Sequence, residues 1–267
     1  ALFRRGAFTG VQLAAFAVSG SMFALFLYLT LYLQNYLGLS PFETGLRYLP
    51  ITLLSFFVAP IAGSLLSRVP ARVMLSIGLG LTGIGLLLMS GLEAGSEWTT
   101  LLGGFLVGGA GVGLLNPVIA DVALSVVPKE RSGMAAGIND TFRQVGVAVG
   151  IAAWGAVFLG RGAGKVSELA AGTPAASGER PRQLIEAASS GNLDQVLSTA
   201  PPGARGSIAN AAGEGFLAGM NEILVLGGKR IECGPGLFAL GGIAVTTVVA
   251  PYLVMSHDVP VPVPGTL

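Results

Sequence analysis

Apolar stretches of about twenty or more residues recur along this chain, and the charged residues are confined to the segments between them. A helix rises about 1.5 Å per residue, so a stretch of this length crosses the roughly 30 Å hydrocarbon layer of a bilayer. A lipid-facing barrel would instead alternate in shorter strands. Only 11% of the residues are charged against 52% hydrophobic, far from the make-up of a water-soluble domain. The chain therefore reads as an all-α membrane protein with the lipid bilayer as its first partner.

Six spanning helices are expected at 8–34, 44–66, 72–92, 99–127, 132–159 and 236–255. Residues 1–160 then hold five spans, 161–215 a long external loop, 216–228 a short interfacial helix, 229–258 the last span and 259–267 a cytoplasmic tail. The loop is rich in Ala, Gly, Ser and Pro, with one weak helix expected near 182–198. Ser40-Pro41-Phe42-Glu43 offers an N-cap serine, a first-turn proline and a capping-box glutamate, and Arg47 is placed to pair with Glu43.

Arg4, Arg5, Arg68, Arg72, Lys129 and Arg131 fall in alternate connections, while 35–40 and 93–97 carry no Lys or Arg. The positive-inside rule makes the first set cytoplasmic, with both termini on that side. A formal charge of +1 with scattered basic residues gives no nucleic-acid footprint. Cys233 and His257 are the only residues of their kinds, which excludes an internal disulfide, a cysteine metal cluster and a zinc site. No cofactor is expected, and no enzyme site is evident.

Three charges interrupt the apolar stretches: Asp121 in the fourth span, and Asp140 and Arg143 in the fifth. Facing lipid they would cost about 3 kcal/mol each, so they must face protein or a water-filled cavity. Their depths overlap, which puts an Asp121, Arg143, Asp140 cluster within reach. Two roles are open. One is a proton-coupling carboxylate whose pKa burial raises and Arg143 lowers; the other is a fixed ion pair locking the fourth span to the fifth. Gln34, Asn116, Asn139 and Gln144 are further cavity-lining candidates, though such a residue more often serves as interhelical glue. Asn139, Arg143, Gly146 and Gly150 share one helical stripe. The run Gly103, Gly104, Gly108, Gly109, Gly111 and Gly113 lets backbones approach closely, and Pro117 permits a bend. Aromatic residues along the first span, Tyr28, Tyr32 and Tyr36 among them, are expected in lipid-facing, interfacial or pocket-lining positions.

The connection Gly63-Ser64-Leu65-Leu66-Ser67-Arg68-Val69-Pro70-Ala71-Arg72 resembles the loop motif of the major facilitator superfamily, matching at Gly63, Leu65, Arg68 and Arg72. Ser67 stands where that motif has an acid and Pro70 where it has a second glycine, a divergence expected of a C-terminal half. Tyr32–Pro41, Leu49-Pro50, Pro128–Gly133 and Gly137–Gly146 are similar to the fourteen-helix drug:proton antiporters of that superfamily. The resemblance covers residues 1 to about 228 and fails where Lys229, Arg230 and Glu232 interrupt the apolar run. It implies a six-helix C-terminal bundle of a bacterial plasma-membrane exporter of amphipathic, often cationic small molecules, working against protons. It also implies an N-terminal half absent from this sequence. Two rival classes are a half-size binding or assembly module without transport, and an intramembrane aspartyl protease. The second lacks its Gly-x-Gly-Asp, since Asp121 follows Ile119-Ala120 and Asp140 follows Ile138-Asn139.

Overall fold

The computed structural model describes residues 6–125, 130, 132–171 and 180–229. Every regular element among them is helical. Helix α1 (Gly6–Leu31) passes into a π-helical turn at Tyr32–Tyr36 and stops at Gly38, whose φ of 71° suits a glycine. The capping box expected at Ser40 is formed: its hydroxyl accepts from the Glu43 amide and Glu43 Oε2 accepts from the Ser40 amide at 2.9 Å, opening α2 (Pro41–Arg47). The second span is not one straight helix. After Tyr48 the axis turns by 44° into α3 (Leu49–Leu65), with Pro50 in its first turn, where the missing N–H costs no ladder bond. Arg47 is not paired with Glu43; its guanidinium lies 4.8 Å from the centre of the Trp98 ring.

Helix α4 (Ala71–Met89) is followed by a turn at Trp98–Leu101 and α5 (Leu102–Ser125), which carries Pro117 without a break. Helix α6 (Ser132–Leu169) continues ten residues past the expected end of the fifth span. The region expected as a long loop holds α7 (Arg180–Ser189) and α8 (Leu193–Thr199), near the weak helix anticipated there, and the first turns of α9 (Arg205–Lys229). Phe216–Leu226 is therefore not a short interfacial segment. It is the later part of a 25-residue helix whose Phe216, Leu217, Met220, Ile223 and Leu224 are buried against α6 and α4. Residues 205–215 belong to the stretch rich in Ala, Gly and Ser, but Gly215 and Gly219 let α9 lie tightly on Gly162 and Phe158. The last span, expected at 236–255, and the tail lie outside the described residues.

On length and composition, three described helices can cross a membrane: Phe8–Tyr36, Trp98–Val122 and Ser132–Leu169. Counting α2 and α3 as one bent span makes four, and Val73–Met89 is a shorter apolar helix.

Two packed groups make up the bundle, α1 with α6 and α9, and α3 with α4 and α5, joined chiefly through α4 and α9. Glycines set both seams. A side chain on Gly146 would run into the Phe16 backbone and one on Gly150 into Gly20, so α1 and α6 meet backbone to backbone. Gly85 and Gly104 do the same between α4 and α5, a side chain on Gly85 running into the Gly108 backbone. At the Ser40 end the core is aromatic, with ring contacts running from Tyr32 to Tyr36, to Phe216 and to Phe158. Nearer the Arg68 end a smaller cluster of Met74, Leu75, Leu79, Leu115 and Val118 has no aromatic member.

Candidate functional site

A buried polar contact between spans joins α1 to α6. Asn139 Nδ2 donates to Gln12 Oε1 at 3.2 Å, with both residues buried, and Gln12 Nε2 has no partner. Asn139 points inward because it shares the α6 stripe with Ala135, Gly146 and Gly150, the face that lies on α1. Gln12 escaped the sequence reading, although an amide within an apolar stretch is the signal that would have marked it.

The expected cluster of Asp121, Arg143 and Asp140 does not form. Asp121 is exposed on α5, Asp140 exposed on α6 and Arg143 half-buried, and no ion pair joins them among the described residues. The reason is tertiary: α6 takes α1 and α9 as neighbours and touches α5 only slightly, so equal depth brings no contact. The locking ion pair between the fourth and fifth spans is thus absent. Asp140 instead heads an exposed strip of α6 that continues through Thr141, Gln144, Ala148 and Ala152.

The other candidates are dispersed. Asn116 is half-buried one residue before Pro117, and Gln34 is half-buried in the π-helical turn. Gly63 is exposed near the end of α3 with open space beside it, Arg68 is exposed in the following turn, and Arg72 lies in the first turn of α4. Of the aromatic residues in the first span, Tyr28 and Tyr32 are core residues. Their hydroxyls donate to Ile151 O at 3.3 Å and Ser96 O at 3.2 Å. A cleft between α1, α4, α5 and α9, lined by Val18, Ser21, Leu79, Thr82, Leu115 and Gly227, holds about 40 Å³. That is water-sized, whereas a drug-sized ligand needs several hundred Å³.

The long apolar helices, the glycine seams and the inward amide pair define an all-α, multi-pass membrane protein. Residues 1–158 match the Major Facilitator Superfamily, and the chain belongs to that superfamily. It is similar to the multidrug resistance protein Stp of Mycobacterium tuberculosis, 38% identical over 51% of this chain and 25% of the relative. The tetracenomycin C resistance and export protein of Streptomyces glaucescens is 31% identical over 81% of this chain and 40% of its own length. The multidrug efflux pump LfrA of Mycolicibacterium smegmatis is 25% identical over 84% and 44%. The chain thus spans less than half the length of each of these relatives.

Proposed function

We propose that this chain is the C-terminal bundle of a fourteen-helix, proton-coupled exporter of amphipathic compounds, set in a bacterial plasma membrane with its Arg68 end cytoplasmic. The observation that carries the reading is the position of Asp121 and Asp140. Both lie on helices long and apolar enough to span, both are exposed on the surface of this bundle, and neither has an ion-pair partner among the described residues. Two carboxylates on a lipid-facing surface would cost about 6 kcal/mol together. A polar space shared with the N-terminal half removes that cost, and a carboxylate there can take up and release a proton as the space opens to either side.

The cleft between α1, α4, α5 and α9 is water-sized, which supports substrate binding against the face of the bundle rather than between those helices. Gln144 and Thr141 stand beside Asp140 on that face, while Asn139 is committed to Gln12. The names of the relatives, which include a multidrug efflux pump and an antibiotic export protein, support an amphipathic substrate.

The test is proton-gradient-driven dye efflux from cells expressing the full gene. Asp121→Asn or Asp140→Asn should abolish coupled efflux while the protein stays folded in the membrane. Full efflux by both variants, or wild-type efflux indifferent to a protonophore, overturns the coupling. Absence of efflux in any form would favour the half-size binding module.

A further inference from the structure

At the Ser40 end, among residues other than Asp121 and Asp140, lies a cavity of about 630 Å³, the size of a small-molecule site. Its walls come from several places in the chain, Ala94 after α4 and Ala188 of α7 among them. Asn35 and Tyr36 belong to the π-helical turn, Asp194 to α8, and Asn210, Glu214 and Phe216 to α9. The π-helical turn is tied to the end of α7 by a hydrogen bond from Asn35 Nδ2 to the Ser189 carbonyl, and Gly191, with a φ of 73°, sits over the same amide. Tyr36 is stacked on Tyr32 at 5.4 Å and on Phe216 at 5.6 Å, so the aromatic wall is continuous with the core and fixed in place.

The charge of this cavity is one-sided. Asp194 and Glu214 line it, and among the described residues no Lys or Arg does and neither carboxylate has an ion-pair partner. No group of three metal-ligating side chains occurs among the described residues, which turns the argument from a metal ion toward a larger, softer cation. The half-buried Tyr36 ring with two unneutralised carboxylates is the chemistry that holds an organic ammonium or phosphonium: the ring takes the apolar body and the acids take the charge.

We infer that this cavity is a second, outer binding site for amphipathic organic cations, lined by residues other than Asp121 and Asp140. The inference rests on the export reading only for the route by which the ligand arrives; the cavity itself is built from residues of this chain alone. Its construction from α8, α9 and the π-helical turn gives a role to the region between α6 and α9 that a mere connection would not have.

The experiment uses the full-length protein in lipid nanodiscs, with Cys233→Ser and a reporter thiol introduced as Asn210→Cys in the exposed lining. Maleimide labelling of that thiol is followed in the presence of tetraphenylphosphonium, neutral triphenylphosphine oxide or no ligand. Tetraphenylphosphonium should slow labelling saturably, and the neutral compound should not at the same concentration. Asp194→Asn with Glu214→Gln should raise the phosphonium concentration needed for protection about tenfold. Both acids are exposed, so the paired substitution should leave the fold intact. Labelling unaffected by phosphonium, or equal protection with the acids neutralised, overturns the outer site. Protection that persists in Asp121→Asn and Asp140→Asn proteins which still export normally would separate the two ideas: the outer site stands and the coupling falls.

Discussion

Helix α6 has two very different relations with its neighbours. Against α1, distant in sequence, it packs backbone to backbone through Gly20, Gly146 and Gly150 and shares the buried amide pair of Gln12 and Asn139. Against α5, next to it in sequence, it makes little contact, and the charged residues that seemed placed to join the two stay apart. In a bilayer the hydrophobic effect does not choose partners, because lipid tails are as apolar as leucine. The partner is chosen by where two backbones can come close and where buried amides can pair. Adjacency along the chain carries no such information.

The contrast can be broken at several strengths. The largest effect is expected from Gly150→Leu, whose side chain would collide with the Gly20 backbone; a loss of about 3 kcal/mol or more should show as failure to recover monodisperse protein after extraction. Asn221→Ala comes next. Its amide oxygen accepts from Gly91 N at 3.0 Å and Leu92 N at 2.8 Å, and its nitrogen donates to Leu92 O at 2.7 Å, fastening α9 to the turn after α4. Its loss should cost about 2 kcal/mol, read as earlier thermal aggregation. Asn139→Leu should cost about 1 kcal/mol by leaving Gln12 wholly unpaired, and adding Gln12→Leu should recover part of that loss. A double-mutant cycle that is strictly additive would show the pair uncoupled. Smallest of all, Asp121→Asn and Asp140→Asn should change thermal stability by less than about 0.5 kcal/mol, since neither acid has an ion-pair partner among the described residues. A large destabilisation by either would mean that the exposed face is structural.

Much of the fold was legible because the bilayer is a demanding solvent. It requires every backbone group to be satisfied within a helix, so length and apolarity mark where α1, α4 and α5 lie and where α6 begins, but neither the bend between α2 and α3 nor the far end of α6. The Ser40 capping box was equally legible, being decided within four residues. Helix α9 was not, because its early turns are polar and its Phe216 and Met220 become core residues only when Gly215 and Gly219 meet Gly162 and Phe158. The candidate residues divided in the same way. That Asp121, Asp140 and Arg143 are costly in lipid followed from their chemistry; which of them touch did not.

By itself the sequence determined that this chain crosses a membrane as helices, belongs with the facilitator transporters and carries charges that lipid will not accept. Those properties follow from local composition and helical rise, which need no knowledge of neighbours. Only the tertiary structure decided that α1 rather than α5 is the close partner of α6, that Asn139 is spent on Gln12 while Asp140 stays on the open face, and that Tyr36, Asp194 and Glu214 enclose one cavity. Each of these depends on the rotation of a helix about its axis against a partner far away in the chain, a quantity fixed by glycine register and shape.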